Sequence, residues 1–208
     1  MAGDERGASR LIKEVVLATR NPDKRAELAA LLGGLGIKIR TLADFPDAPE
    51  VVEDGDTCRA NAVKKAIAIA RHTGLPAVAD DTGLEVEALG GRPGVRAARY
   101  AGEQATYEDN WRKLIGELEG VPRRRRRASF ITAAAVATPS GKVEVAEGML
   151  EGVIAEAPAG TQGFGYDPVF FVPELGKTLA QLTPEEKNRI SHRGRALAKI
   201  RELLERAR

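Results

Sequence analysis

Short apolar runs alternate with helix-spaced segments through the first half of the chain. Val15-Val16-Leu17-Ala18 is a continuous apolar run that gives way to the polar Thr19-Arg20-Asn21, the pattern of a buried strand entering a loop. Lys24 to Leu32 carries Ala and Leu at helical spacing and stops at Gly33-Gly34, where a helix C-cap is expected. Ile37 to Leu42 alternates like a half-exposed strand. Thr57 is placed to cap a second helix through Asn61, Ala62, Ala66, Ile67 and Ala70, ending near Gly74. Pro76 to Leu84 then reads as a return to the sheet, with a strand ending in the adjacent acids Asp80-Asp81. Alternation of this kind predicts an α/β architecture.

The second half departs from that rhythm. Leu84-Glu85-Val86 is a short extended segment, Gly90-Gly91-Arg92-Pro93-Gly94 is a turn cluster, and Tyr107 to Leu118 has helical spacing. Ala128 to Thr138 and Lys142 to Val153, separated by Ser140-Gly141, predict an antiparallel ribbon and therefore a mixed sheet. Thr183-Pro184-Glu185-Glu186 is a helix start with a capping hydroxyl, Pro at the first position and acids in the first turn. Apolar residues continue at helical spacing through Ile190, Leu197, Ile200 and Leu204, with Ser191 placed to cap a restart.

Composition narrows the function classes. The chain has 208 residues, with 32 Lys and Arg against 30 Asp and Glu, so bulk charge gives no mandate for a polyanionic partner. Cys58 has no second cysteine to pair with, which fits a reducing cytoplasm. No apolar run approaches the roughly 20 residues needed to cross a bilayer, and the first ten residues lack a signal-peptide core. The expectation is a polar tail over residues 1–12 followed by one unit over residues 13–208, acting without nucleic acid or membrane. The run Arg123 to Arg127 has no interleaved aromatics and reads as a solvated loop.

Three segments carry candidate chemistry. Gly163-Phe164-Gly165-Tyr166-Asp167-Pro168, followed by Lys187 and Ser191-His192-Arg193, supplies a flat ring, an acid, an ammonium, an imidazole and a guanidinium, the mixture that holds a base and a polyphosphate. Phe164 is the candidate platform for a purine, with Gly165 leaving the ring uncovered; Phe164 and Tyr166 as strand core residues is the alternative. Thr19, Arg20, Asn21, Pro22, Asp23 and Lys24 form a strand–loop–helix junction whose free amides and side-chain donors suit a triphosphate, and an ordinary surface turn fits equally well. Asp80 and Asp81, pointing to opposite sides of a strand, suit Mg²⁺ or, alternatively, the capping of a turn.

These segments, with Val15 to Lys24 and Pro76 to Leu84, resemble in order the inosine triphosphate pyrophosphatase family, the Ham1-like enzymes that remove non-canonical purine nucleoside triphosphates. The resemblance extends from Val15 to near the C-terminus. It implies a mixed α/β, two-lobed elongated fold around a central cleft, shared with the Maf-type pyrophosphatases, and commonly a homodimer. It implies Mg²⁺-dependent cleavage between the α and β phosphates, with Asp81 as general base. Glu53 and Asp81 would be metal ligands, with Asp80 a further candidate. Thr82, Phe164, Gly165, Tyr166, Asp167 and Lys187 would contact the nucleotide, and His192 and Arg193 the base edge. A guanidinium at Arg193 favours a purine carbonyl over the adenine amine. Where the family has Thr-Phe-x-Glu-Asn-Ala, this chain has Thr57-Cys58-Arg59-Ala60-Asn61-Ala62, which leaves no carboxylate at position 60. Competing readings are a Maf-type enzyme of other base specificity, or a non-catalytic nucleotide or polyanion binder.

Overall fold

The structure, a computed structural model, describes residues 12–207. The expected tail lies outside them except for Ile12, whose amide donates to the Ala207 carbonyl at 3.1 Å. The elements are β1 (Glu14–Leu17), α1 (Pro22–Leu32), β2 (Lys38–Thr41), α2 (Cys58–Thr73), β3 (Ala77–Val86), β4 (Pro93–Gly94), α3 (Tyr107–Glu117), β5 (Arg127–Ala137), β6 (Val143–Ile154), β7 (Phe170–Val172), β8 (Lys177–Thr178), α4 (Pro184–Ile190) and α5 (His192–Arg206). The strands form one sheet in the order β2-β1-β3-β5-β6-β7-β8, with β4 beside the far half of β3. β1 runs parallel to β2 and β3, and the remaining pairings are antiparallel. This is the mixed α/β fold expected.

Local chemistry sets the helix ends. The Asn21 carboxamide oxygen accepts from the Asp23 and Lys24 amides at 2.9 and 3.1 Å, and Pro22 opens α1 where no amide is needed. Thr57 caps α2 by accepting from the Ala60 amide, and Gly74 ends it in the left-handed conformation. Ser191 splits the C-terminal apolar stripe in two. It terminates the seven-residue α4 and caps α5, accepting from the Gly194 amide at 3.0 Å.

The strand alternation sorts the core into layers. On one face, Ala77, Ala79, Ala133, Ala135 and Ala137 meet Ala62, Ala66 and Ala70 of α2. On the other, Val15, Leu17, Val78 and Ala134 meet Leu28 and Leu32 of α1 and Leu197, Ile200 and Leu204 of α5. A third cluster gathers Leu84, Phe130, Leu150, Ile154 and Phe170 with Leu114 and Leu118 at the α3 end. The long strands β3, β5 and β6 therefore run through two lobes, and residues midway along β3 sit between them.

Two local expectations are corrected. β3 does not end at Asp80-Asp81: it continues through Leu84-Glu85-Val86, because β5 pairs with it from Ala77↔Ala137 to Val86↔Ala128 and keeps the backbone extended. The arginine run is not a uniform solvated loop. Arg126 is buried, and its guanidinium donates to the carbonyls of Leu118 and Val121, each at 2.8 Å, satisfying the chain just after α3.

One close approach fixes where α5 lies. A Cβ on Gly148 of β6 would collide with the His192 carbonyl and lie 2.6 Å from the Ala196 amide nitrogen. Both are backbone, so the helix would have to move. Gly148→Ala is expected to cost about 3 kcal/mol, the upper end for overpacking. The matching fall in Tm is roughly 6–12 °C for a chain of this size, readable by calorimetry.

Candidate active site

A gap in strand pairing creates the site. The parallel pairing of β1 with β3 stops at Leu17↔Val78, and β4 joins β3 only at Leu84 and Glu85. Between these points, among the described residues, one edge of β3 has no neighbouring strand, and its backbone groups find side chains instead: Lys65 Nζ donates to the Asp80 carbonyl at 2.7 Å, and the Thr82 amide donates to Asp81 Oδ1 at 2.9 Å. A cleft of about 300 Å³ opens there, beyond the carboxyl end of β1, where open α/β sheets place ligands.

Asp81 faces α2. Its Oδ2 accepts from Asn61 Nδ2 at 3.0 Å, while Asn61 Oδ1 accepts from the Gly55 amide at 2.8 Å. One carboxamide thus orients both Asp81 and the segment bearing Glu53. Glu53 borders the same cleft, its Oε1 3.1 Å from Lys65 Nζ, and Arg99 donates to its carbonyl at 3.0 Å. Burial raises the Asp81 carboxyl above its ordinary value against the pull of Lys24 and Lys65, and Glu53 adds to the rise. Ala60 is exposed and does not border the cleft. Among the described residues no three His, Cys, Asp or Glu side chains cluster as a metal site; the acids lining the cleft are Glu50, Glu53, Asp81 and Asp167, of which Asp167 is taken up by Lys187.

Asp80 faces the opposite layer. Its Oδ2 accepts from Arg193 Nε at 3.0 Å and lies 3.8 Å from Lys24 Nζ, which is 3.9 Å from Asp81 Oδ1. Burial alone would raise the Asp80 carboxyl, but Lys24, Arg193 and Lys65 outweigh it and hold it well below the usual range. From Asp80 the charges alternate through the interior: Arg193 donates to Glu27 at 2.6 Å, Lys187 to Glu27 at 2.7 Å, and Lys187 also to Asp167. Asp167 in turn accepts from the Phe164 amide at 2.9 Å. Gly163 allows this turn, with φ of 73° and no room for a Cβ beside the Asp167 carboxylate. The Phe164 ring has Lys187 Nζ 4.8 Å and the Arg193 guanidinium 5.4 Å from its centroid.

The cleft thus gathers most of the residues singled out in the sequence. Thr19, Arg20, Asn21 and Lys24 line one side, and Phe164, Gly165, Lys187, His192 and Arg193 the other, with Asp81 and Thr82 between. Pro22 and Asp23 begin α1 behind the lining, and Arg20 donates to the Ala48 carbonyl. Tyr166 borders the cleft but packs into the core and donates its hydroxyl to the Ala97 carbonyl at 2.8 Å. His192 is a neutral imidazole stacked on Phe130, its ring centroid 4.4 Å away; burial, with Arg193 and Lys187, pushes its pKa well down. Burial pushes the Cys58 thiol up to about 12, so it remains a thiol.

Several contributors escaped the sequence reading. Glu27 lies one helical turn after Lys24, a spacing that places both on the same face of α1. Tyr107 accepts from Asn21 Nδ2 at 2.8 Å and donates to Asp23 at 3.0 Å, a contact no local pattern signals. Asn61 and Lys65 lie on α2, and nothing in their sequence positions signals their contacts with Asp81 and with the Asp80 carbonyl.

The model of the Ham1 family matches residues 15–203. The dITP/XTP pyrophosphatase of Geobacillus kaustophilus is 54% identical over 191 residues, 92% of this chain and 94% of that protein. That of Bacillus subtilis is 45% identical over 195 residues, 94% of this chain and 98% of that protein. Among solved structures, a HAM1 protein from Coxiella burnetii superposes with a TM-score of 0.83 at 43% identity, covering 92% of this chain and 98% of its own. With the family model spanning almost all the described residues, the chain belongs to the Ham1 family.

Proposed function

We propose that this protein hydrolyses non-canonical purine nucleoside triphosphates, ITP, dITP and XTP, to the monophosphate and pyrophosphate, and so clears them from the nucleotide pool. One observation carries the reading: a single cleft joins the Glu53–Asp81 carboxylates to the Phe164 ring through a continuous wall of cations and acids. The named activities of its relatives point the same way.

Phe164 stacks on the purine, an interaction worth roughly 1–3 kcal/mol per base on comparable platforms. Arg193 uses three of its five N–H donors on Asp80, Glu27 and Thr82, which leaves two for a purine carbonyl. The amides and side chains of Thr19 to Lys24, at the positive end of α1, take the phosphates. Asp81 accepts the proton of the attacking water as the bond to the α-phosphorus forms and pyrophosphate leaves. Glu53 and Asp81 are the donor set for Mg²⁺, a cation that commonly takes only one or two protein carboxylates, so the lack of an acid at position 60 does not disqualify the site. When bound, Mg²⁺ neutralises charge on the phosphate oxygens. A homodimer working in a reducing cytoplasm belongs to the same proposal, supported by the family resemblance and the unpaired Cys58.

The test is product identification. Incubated with Mg²⁺ and ITP, XTP, dITP, GTP or dTTP, the protein is expected to release pyrophosphate and the monophosphate from the first three. Orthophosphate with the diphosphate would reject the cleavage position. Turnover of dTTP in preference to ITP would favour a Maf-type specificity.

A further inference from the structure

Asp80 is adjacent to the proposed base yet borders no part of the cleft, and its side chain is fully buried. Its Oδ2 holds Arg193 Nε at 3.0 Å, and two strand positions on, the Thr82 hydroxyl accepts from the same guanidinium at 3.0 Å. Both acceptors stand on one face of β3, so the strand grips one side of the guanidinium while Glu27 grips the other at 2.6 Å. The Thr82 hydroxyl is itself fixed, 2.6 Å from that of Thr132 on β5. A guanidinium held by three acceptors has its plane set before any ligand arrives.

We infer that Asp80 is a positioning residue of base recognition, holding Arg193 against the strand that carries Asp81 so that purine engagement and water activation share one rigid segment. This rests on the reading that Arg193 faces the purine. It assigns Asp80 to specificity and not to metal binding.

Asp80→Asn keeps the size of the side chain and one acceptor but loses the charge that fixes Arg193. The ratio of kcat/KM for ITP over ATP is expected to fall about tenfold, because a misaligned donor set no longer rewards the carbonyl. KM for ITP rises by a larger factor than kcat falls, and the Mg²⁺ concentration for half-maximal rate is unchanged. An unchanged ITP-to-ATP ratio, or a loss confined to kcat with a raised Mg²⁺ requirement, overturns the assignment. Should Asp80→Asn not fold, Thr82→Val removes a neutral acceptor from the same guanidinium and is expected to lower the ratio in the same direction by a smaller factor; no change there overturns it equally. The wild-type chain is assayed first. If it releases no IMP and pyrophosphate from ITP, the hydrolase reading fails, and calorimetric Kd values for ITP and ATP on wild type and variant then decide the Asp80 role by the same ratio.

Discussion

Replacing Asp81 by Asn lowers kcat for ITP by roughly 10²–10⁴-fold, the range a positioned general base contributes. The substitution preserves shape, and Asn61 still has an oxygen at position 81 to donate to, so the fold survives. KM changes little by comparison, since Lys24, Phe164 and Arg193 keep their places. Steady-state kinetics beside a thermal melt checks both halves. A variant with full turnover removes Asp81 from the chemistry, and one that is unfolded shows that its contact with Asn61 is structural first.

Lys187→Met has the largest effect on stability. Lys187 is buried between Asp167 and Glu27, and its loss strands the Asp167 carboxylate with the Phe164 amide at 2.9 Å as its remaining donor. Removing one partner of a buried pair costs about 3–5 kcal/mol. Burial already holds the Asp167 carboxyl above its ordinary value, and without the ammonium it rises further. Between 3.8 and the raised folded-state value the folded variant then binds more protons than the unfolded chain, so its stability falls as pH rises through that window. Urea unfolding near pH 5 and near pH 8 is therefore expected to show a larger deficit against wild type at about pH 8. An equal deficit at both would mean that lost packing, not a stranded charge, dominates.

The fold was legible where side-chain period and caps agreed. Thr57 with Gly74, Thr183-Pro184 and Ser191 mark helix ends that the structure reproduces. The length of β3 was not legible: in Asp80-Asp81-Thr82-Gly83 only Thr82 favours a strand, and pairing with β5, with Asp80 opposite Ala134 and Gly83 opposite Ile131, keeps it extended. β4, β7 and β8, of two or three residues each, are too short to show a period. Within the site, the residues that face a ligand stood out because a glycine-flanked ring and adjacent acids are unusual in a core. The residues that hold them did not. Glu27 looks like any helix-surface acid, and its pairing with Lys187 and Arg193, more than 150 residues away, exists only in three dimensions. The buried Arg126 was hidden likewise by its four arginine neighbours, since a charge run carries no sign of which member turns inward.

Hydrolysis of ITP in ¹⁸O-labelled water most directly tests whether water beside Asp81 attacks the α-phosphorus. Mass spectrometry is expected to find the label in IMP and none in pyrophosphate. Label in the pyrophosphate, or in released orthophosphate, would contradict it.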